Sequence, residues 1–543
     1  MEAFDYVVVG AGSAGSVLAQ RLAQDPGVTV CVLEAGPSDW HPFLHVPAGF
    51  IKTVFDPRFT WQFQTEPGEA IGGRTVALPQ GRVVGGSSSV NGMIFNRGQR
   101  ADYDGWAEAG NRGWGYTDVL PYFKRVERLV GDADERFRGR DGPLPVTRTD
   151  LRHPLCDAFI SGAVGAGIPA NPDFNGETQA GTGTMQRSIY RGWRQSTAKT
   201  YLRQALTTGR VALRTQVTVT GLTFDGTRAT GVTYLRAGTA EPVKVRAHRE
   251  VIVAAGAVNS PKLLQLSGIG PASLLGALGI PVRCDLPVGD NLRDHFSVRL
   301  VARVKDCLTI NEMARGWRLV GQMARWAMGR PSVLALSPAL VHWFWKSDPR
   351  LNAPDLQGIF TPASYRQGFM GMLDDFPGMT VGVNQHRPDS VGWVRVRSPD
   401  PAAPPAVQPN YLAEPSDQQV LVRGIRLARS LLQTPELAPF FVKEELPGPG
   451  ATTDEDLLGF ARSFGTTSYH LVGTCRMGRA DDRSAVVDDT LRVHGLQGLR
   501  VVDASVMPNI PSANTYAATL MIAEKAADLI RGRCAPAALA GVG

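Results

Sequence analysis

The segment FGTTSYHLVGTCRMG, residues 464–478, holds a histidine and a cysteine five positions apart, His470 and Cys475. Such a pair suits a metal site, a thiol nucleophile with its base, or a proton acceptor for another reaction. A zinc site is disfavoured because two further ligands are missing nearby. A nucleophilic Cys–His pair depends on geometry that sequence does not reveal. The segment alone leaves a proton-accepting histidine and an ordinary core histidine open.

A glycine-rich turn, GAGSAG at residues 10–15, lies between the apolar run YVVVG and a stretch with helical spacing of leucines. In this strand–turn–helix context the glycines let a pyrophosphate approach backbone N–H groups at the helix N-terminus. Glu34 lies nineteen residues beyond Gly15, at the end of the run VTVCVL, where a carboxylate accepts hydrogen bonds from ribose hydroxyls. These features predict a βαβ unit that binds a dinucleotide, either NAD or FAD.

The stretch QGRVVGGSSSVNGMIFNRG, residues 80–98, is dense in glycine and serine and ends in an apolar run. Bare backbone of this kind can lie against a flat ligand, with its amides free to bond the polar edge of that ligand. Taken alone, the stretch is equally compatible with a flexible surface loop.

Three later segments have sequence patterns typical of a buried parallel sheet and its flanking helices. EVIVAAG (residues 250–256) predicts a strand, and the helix after it is expected to have Ser260 as N-cap and Gly268 as its left-handed end. LRVVDAS (residues 499–505) predicts another buried strand, and ATLMIAEKAADLI predicts an amphipathic final helix.

Bulk composition narrows the class of protein. A chain of 543 residues is expected to form two or more domains, and 43% hydrophobic with 20% charged residues is typical of a globular protein. The charged residues behind the net charge of +7 are scattered along the chain, which argues against binding of nucleic acid. Six widely spaced cysteines and a strand that begins almost at once predict reduced thiols and a cytoplasmic location. The sequence contains no run of about 18 apolar residues, so we expect no membrane-spanning segment.

Five separate segments together resemble one family, the glucose–methanol–choline (GMC) flavoprotein oxidoreductases. The Gly81–Gly98 stretch resembles the family's first signature, and GAVNSPKLLQLSGIG (residues 256–270) resembles its second. The N-terminal βαβ unit, HLVGTCRMG and the tail DASVMPNIPSANTYAATLMIAEKAADLI match in order and spacing. The resemblance covers essentially the whole chain and implies an enzyme with FAD bound in an extended pose.

The resemblance also implies the architecture. It predicts a Rossmann-like FAD-binding domain of α/β type, interrupted by a substrate-binding domain of α+β type on an antiparallel sheet. We expect the FAD-binding domain to comprise residues 1–155, 205–300 and 466–543, and the substrate-binding domain to comprise residues 156–204 and 301–465.

His470 and Asn514 occupy the positions of the family's catalytic pair at the flavin. Hydride leaves an alcohol carbon only as the hydroxyl proton is lost, so a base must lie within hydrogen-bond reach of that hydroxyl. A neutral imidazole can take the proton, and an asparagine amide can hold the oxygen without titrating. The resemblance further implies these cofactor-binding residues: Gly10, Gly12, Ser13, Ala14, Gly15, Glu34, Ala35, Arg82, Val84, Gly86, Ser87, Asn91, Gly92, Met93, Ile94, Val217, Ala255, Gly256, Tyr469, Asp503, Ala504, Asn514 and Thr515.

One departure from some relatives concerns covalent flavin attachment. Those relatives link FAD through a histidine in the GGSS region, where this chain has Val90 and no histidine between Gly81 and Gly98. We therefore expect non-covalent FAD and no metal.

The implied activity is oxidation of a primary alcohol to an aldehyde, with electrons passed to a quinone, another acceptor or oxygen. Alkanols, aromatic alcohols, choline and sugars such as L-sorbose are all candidate substrates. A hydroxynitrile lyase on the same scaffold, a nicotinamide dehydrogenase and a non-catalytic binding protein are the alternatives. The sequence indicates no oligomeric state.

Aromatic residues predict a substrate wall, although such residues are more often plain core. Trp61, Tyr469, Trp343 and Trp345 are the candidates for an apolar pocket or a cation cage. The tryptophan- and arginine-rich segment from Trp317 to Trp345 is expected to be a lid or wall over the cavity, with peripheral membrane attachment as the alternative.

Overall fold

The structure is a computed structural model that describes residues 1–366, 372–534 and 536. Within these residues the strands are β1 (Glu2–Val9), β2 (Val30–Leu33), β3 (Thr60–Gln64), β4 (Ala77–Gly81), β5 (Glu127–Leu129), β6 (Leu144–Arg148), β7 (Gly181–Thr184), β8 (Gln186–Arg187), β9 (Ile189–Tyr190), β10 (Trp193–Arg194), β11 (Val211–Arg214), β12 (Val217–Asp225), β13 (Arg228–Arg236), β14 (Pro242–Val253), β15 (Asp290–Leu292), β16 (Phe296–Val304), β17 (Val341–Trp345), β18 (Leu356–Thr361), β19 (Gly378–Gln385), β20 (Gly392–Arg395), β21 (Ala406–Gln408), β22 (Phe441–Leu446), β23 (Thr466–Thr467) and β24 (Leu499–Val501).

The α-helices of the same residues are α1 (Ser13–Leu22), α2 (Phe50–Thr53), α3 (Arg100–Glu108), α4 (Tyr116–Val126), α5 (Pro154–Gly165), α6 (Arg203–Thr207), α7 (Gly256–Leu266), α8 (Ala272–Ala277), α9 (Ile310–Met313), α10 (Gly316–Ala327), α11 (Pro415–Leu432), α12 (Asp454–Phe464) and α13 (Thr515–Ile530). Short helical turns also occur near the site, at Gly86–Ser89 and Ala504–Val506.

The first large sheet is built from distant parts of the chain. Its strand order is β11-β2-β1-β14-β13-β12, and β24 pairs with β14. The pairs that involve β1, β2, β11 and β24 are parallel, whereas β12 and β13 form an antiparallel extension. The whole of β2 and the second half of β1 are buried, as their continuous apolar runs predict. The predicted Rossmann-like βαβ unit is therefore confirmed.

The helix after β14 begins earlier than its sequence predicts. Helix α7 starts at Gly256 with Ala255 as N-cap, so the prediction of Ser260 as N-cap is wrong. The Ser260 hydroxyl instead accepts a hydrogen bond from the Ala255 N–H (3.0 Å) and donates one to the Asp503 carboxylate (2.5 Å). Gly268, with φ +82°, ends the helix in the left-handed region as expected.

The second large sheet has the order β22-β16-β19-β18-β17-β7, and β23 pairs with the start of β16. All of its pairs are antiparallel. This arrangement confirms the predicted combination of a Rossmann-like part with a part on an antiparallel sheet. Strand β16 runs through the boundary that we placed between residues 300 and 301, because the strand already begins at Phe296.

Helix α10 lies on the outside of the molecule and has no buried residue. Trp317 is 79% exposed, while Trp326 packs edge-on against Trp193 and donates a hydrogen bond to the Gly192 carbonyl. None of its residues lines the cavity described below, whereas Pro338, later in the segment from Trp317 to Trp345, does, so the expected wall role applies to that part of the segment and not to the helix. Attachment to a membrane surface stays a prediction. No helix within the described ranges has the length and apolar character needed to cross a membrane.

Candidate active site

A cavity of about 420 Å³ lies between the two large sheets and collects most of the predicted site residues. One side is formed by the loops that follow β1 and β14, and the other by a face of the antiparallel sheet. The predicted residues that line it are Gly10, Gly12, Ser13, Ala14, Glu34, Ala35, Trp61, Gly86, Ser87, Asn91, Gly92, Met93, Ile94, Val217, Ala255, Gly256, Tyr469, His470, Asp503, Ala504, Asn514 and Thr515.

Three residues predicted to bind the cofactor lie outside the cavity lining. A Cβ on Gly15 would come within 1.9 Å of the Gly10 carbonyl oxygen, so this glycine serves close packing of α1 on β1. Val84 is buried, and its N–H donates to the Pro37 carbonyl. The Arg82 guanidinium stacks on the Trp61 ring, 4.7 Å from its centroid, and so supports a cavity residue from behind.

Two of the predicted substrate residues are corrected by the structure. Trp343 is fully buried in β17 and packs in the core of the antiparallel domain, with its ring against the backbone of Gly358. Trp345, at the end of the same strand, packs against that core. Neither lines the cavity, because in this strand the large aromatic side chains fill the interior of the sheet packing.

Glycines form the first side of the cavity because side chains would not fit there. Gly10 has φ +102°, and a Cβ at this position would come within 2.5 Å of the Ala254 carbonyl oxygen. Gly86 has φ +54°, and its Cβ would come within 2.6 Å of the Gly12 Cα. The turn after β1 and the turn at residues 86–89 thus meet backbone to backbone, which leaves main-chain N–H groups at the cavity wall.

Glu34 fixes the turn after β1 from the end of β2. Its carboxylate accepts hydrogen bonds from the backbone N–H groups of Ala11 (2.9 Å) and Gly36 (2.8 Å). Burial raises the pKa of Glu34 to about 7, and the two N–H donors oppose this rise.

Asp503 ties the C-terminal segment to the loop after β14. Its carboxylate accepts hydrogen bonds from the backbone N–H groups of Gly256 (2.8 Å) and Ser505 (2.8 Å) and from the Ser260 hydroxyl. Both acidic residues that line the cavity, Glu34 and Asp503, are therefore engaged by the protein's own donors.

Asn514 precedes α13 but does not use its side chain as a helix cap. Its Nδ2 donates to His470 Nε2 (2.8 Å), and its Oδ1 accepts from Gln357 Nε2 (3.1 Å). The Asn514 side chain thus links His470 to Gln357 in strand β18 of the antiparallel sheet.

A second histidine lies behind His470. His295 Nδ1 is 2.9 Å from His470 Nδ1, and His295 Nε2 is 2.6 Å from the His386 carbonyl oxygen. A carbonyl only accepts, so His295 carries its proton on Nε2 and offers a lone pair at Nδ1. His470 then donates from Nδ1, and its Nε2 presents a lone pair to the cavity, which we assign from this network.

Burial keeps both rings neutral. It lowers the pKa of His295 to about 4, and it lowers the pKa of His470 well below the usual imidazole value, with His295 as a smaller contribution in the same direction. Neutral rings are what the directed hydrogen bonds of the pair require.

Asp294 anchors the loop that presents His470. Its carboxylate accepts from the His470 backbone N–H (2.8 Å), the Thr467 hydroxyl (2.5 Å) and the Tyr411 phenol (2.5 Å). The intervening Tyr469 is held at φ +63°, a left-handed conformation uncommon for a residue with a side chain. These bonds turn the His470 ring toward the cavity.

Sequence reasoning missed Asp294, His295 and Gln357. The first two form a polar pair directly before the alternating strand β16, and their position at the start of a strand was the available signal. Gln357 carries no such signal, because only the antiparallel pairing of β18 brings it to Asn514.

Comparisons with known proteins show which family this chain resembles over its length. The family model of GMC oxidoreductases matches the chain in an N-terminal part, residues 4–297, and a C-terminal part, residues 388–523. Mitochondrial choline dehydrogenase of Mus musculus is 40% identical over 97% of this chain and 89% of its own. Alcohol dehydrogenase (acceptor) of Pseudomonas putida is 38% identical over 97% of this chain and 95% of its own.

Solved structures show the same fold over the full length. Pyridoxine 4-oxidase from Mesorbium loti superimposes with a TM-score of 0.87 at 28% identity, over 98% of this chain and 100% of its own. The fold and the site thus define an oxidoreductase that acts on CH–OH donors. The chain belongs to the GMC oxidoreductase family, whose members bind FAD.

The residues present fit an FAD. Gly10 and Gly86 let the two turns approach main chain to main chain, because a Cβ at either position would meet backbone atoms, and this bare backbone lines the cavity beside the N-terminus of α1, where a pyrophosphate can bind. Gln357 Oε1 and the Tyr516 hydroxyl are buried without hydrogen-bond partners among the described residues, and both residues line the cavity. Such orphaned polar atoms in a large cavity are expected where a polar ligand belongs.

Proposed function

We propose that this protein oxidises a primary alcohol to its aldehyde, with FAD held non-covalently and His470 taking the hydroxyl proton. The observation that supports this most directly is the one-way hydrogen-bond chain from His386 through His295, which leaves the lone pair of His470 Nε2 facing the cavity. When bound, FAD supplies the acceptor for the hydride that leaves the alcohol carbon.

The residues around His470 suit an alcohol oxygen. The hydroxyl donates to His470 Nε2, and the Asn514 Nδ2–H, which now occupies that lone pair, turns to the alcohol oxygen. Gln357 holds Asn514 Oδ1 and so keeps the amide in the orientation that donates. The oxygen is thereby fixed between a proton acceptor and a neutral donor, as proton removal coupled to hydride loss requires.

The pKa of His470 suits a base at neutral pH. Because burial lowers this pKa well below the usual imidazole value, the ring is neutral before the substrate binds. The proton it takes is then held at Nε2 while Nδ1–H continues to donate to His295.

The cofactor is proposed to be non-covalent because Val90 is the buried residue at the relevant position of the cavity wall. We expect FAD to appear in the supernatant when the protein is denatured and precipitated. Flavin that stays with the pellet would contradict this part of the proposal.

The names of the relatives support a small alcohol and an electron acceptor. They include choline dehydrogenases and an alcohol dehydrogenase that uses an acceptor. We propose a quinone-type acceptor, with oxygen as the alternative.

The test is anaerobic mixing of the yellow protein with a panel of alcohols. We expect primary alcohols to bleach the flavin absorbance, and we expect His470→Ala to slow bleaching by about 10²- to 10⁴-fold. His248→Ala, at an exposed position, is the matched control and should bleach like the wild type. A protein that holds flavin yet is bleached by no alcohol would sink the proposal and favour a hydroxynitrile lyase or a binding protein.

A further inference from the structure

One face of the antiparallel sheet forms the second side of the cavity. In register, Arg299 of β16 faces Gly382 of β19, which faces Ile359 of β18. Alternate residues of the three strands share this face and line the cavity: Ser297, Arg299, Gln357, Ile359, Thr361, Thr380, Gly382 and Asn384. Among these, Arg299 alone carries a charge.

Within residues 1–366, 372–534 and 536, no carboxylate or carbonyl is paired with the Arg299 guanidinium, whose charge acts on the phenols of Tyr365 and Tyr469. Arg299 is part-buried, and among the described residues it makes no hydrogen bond or ion pair. The residues outside the described ranges, 367–371, 535 and 537–543, contain no aspartate or glutamate in the sequence. The one other arginine in the described strands of this sheet, Arg303, lies four residues along the same strand and binds Glu445 at 2.7 Å.

The neutral donors of the same face are already in use. The hydroxyls of Thr361 and Thr380 donate to the Pro338 and Ala363 carbonyls, at 2.9 and 2.6 Å. The Asn384 amide donates to the backbone of the following residue. Arg299 therefore holds the uncommitted donors on this face, in a fork that matches a carboxylate.

The position of Arg299 leaves room for a substrate chain. Gly382, directly opposite, has no side chain to cover the guanidinium. Ser297 pairs with Thr466, which leads into the loop that presents His470, and Arg299 lies two residues further along β16. Two residues of strand span about 7 Å. An anionic group bound there would be separated from the reacting hydroxyl by several carbon atoms.

Building on the proposed function, we propose that the substrate is a primary alcohol with a carboxylate at its other end, and that Arg299 binds this carboxylate. A single unpaired cation among neutral side chains matches one negative charge. A phosphate dianion would bring a second charge that no other residue of this face neutralises.

The same face disfavours choline, the substrate named for several relatives. A quaternary ammonium would approach an unpaired arginine, and the face offers it no carboxylate. The acidic residues of the cavity, Glu34 and Asp503, are held by backbone N–H groups on the opposite side.

The test compares matched alcohols on the holoenzyme with a dye acceptor: ω-hydroxyhexanoate, its isosteric neutral amide, 1-hexanol and choline. We expect kcat/KM for the carboxylate to exceed that for the amide by about tenfold or more, mainly through KM. In Arg299→Gln this ratio should fall to about one, and Arg299→Lys should restore part of it. Arg303→Gln, a matched loss of charge on the same strand, should keep the wild-type ratio.

A binding measurement covers the case in which Arg299→Gln does not fold. Hexanoate, which has no hydroxyl to oxidise, should inhibit the wild type competitively at least about tenfold better than hexanamide. Equal inhibition would overturn the proposal, as would a carboxylate preference that survives in Arg299→Gln, or choline as the best substrate.

The two proposals fail in different ways. If 1-hexanol reduces the enzyme but the carboxylate has no advantage, the role of Arg299 is wrong and alcohol oxidation stands. If no alcohol of the set reduces the enzyme, while hexanoate still binds better than hexanamide, alcohol oxidation is wrong and the anion site stands.

Discussion

The two sides of the cavity are built by opposite means. The side from the parallel sheet includes bare backbone at Gly10 and Gly86, where a Cβ would collide with main-chain atoms. The side from the antiparallel sheet is lined by side chains that alternate along strands, such as Arg299 and Gln357. At Gly10 and Gly86 the first side therefore excludes a side chain, whereas the second side can change its chemistry one residue at a time without disturbing the sheet.

The largest expected effect is on flavin content, and it is tested by a glycine-to-alanine substitution on each side of the cavity. In Gly10→Ala the new Cβ meets the Ala254 carbonyl oxygen at 2.5 Å, at a φ of +102°. We expect this variant to purify with little or no flavin, measured by absorbance and by HPLC of the denatured extract. In Gly382→Ala the new Cβ meets side-chain atoms only at close range, Ile359 Cγ1 at 2.9 Å and Cδ1 at 3.3 Å, and flavin content should equal that of the wild type. Equal flavin in the two variants would break the comparison.

The next effect is on the hydrogen-bond chain behind His470. His295→Leu removes the acceptor for His470 Nδ1–H, so the lone pair of His470 is no longer fixed at Nε2. We expect kcat to fall by about 10- to 100-fold at full flavin content. His295→Gln keeps an acceptor oxygen and should recover much of the loss. A merely structural role would instead predict similar losses in both variants, with matching drops in thermal stability.

A smaller effect concerns pH, because burial lowers the pKa of His470. Since the pKa of His470 is lowered, kcat/KM should stay level as pH falls through about 6.5, the usual imidazole value, and decline only at more acid pH. The measurement is a kcat/KM profile with a neutral alcohol. Half-loss of activity at or above pH 6.5 would show that the ring titrates like an exposed imidazole.

The smallest effect is on the stability of the FAD-free protein. The pKa of Glu34 is raised from 4.5 to about 7 in the fold, so the folded state binds more protons than the unfolded state between these values. Stability from this group is full below about pH 4.5 and is lost as pH rises to about 7. The unfolding temperature of the wild type, relative to Glu34→Gln, should therefore fall by about 3 °C across that range. If the unfolding temperature of the wild type relative to Glu34→Gln rose with pH, the predicted destabilisation by ionised Glu34 would be wrong.

The backbone-lined side was predictable and the side-chain-lined side was not. The turn GAGSAG, its flanking strand and helix, and Glu34 are local in sequence, and local patterns carry their own structural context. The wall of Arg299, Gly382 and Ile359 depends on register between strands whose paired residues lie about 20 to 85 positions apart, which no single segment encodes.

Single residues were misjudged for related reasons. Trp343 is of a residue type that is common in ligand pockets, but tertiary packing places it in the core beside the antiparallel sheet. Ser260 has the side chain of a helix cap, but the helix begins four residues earlier, and the hydroxyl serves Asp503 instead. In both cases the residue type indicates which interactions the side chain can make, but it does not indicate which partner the fold brings next to it.

The parallel sheet has a consequence for biosynthesis. Strand β24, which completes the sheet beside β14, and Asp503 and Asn514 come from residues 499–514, whereas β1 comes from the first residues of the chain. A ribosome releases these parts in that order, so the nascent protein exposes an open edge of β14 until translation has passed residue 501. We therefore expect cofactor loading to follow synthesis of nearly the whole described chain, with chaperones guarding the incomplete sheet until then.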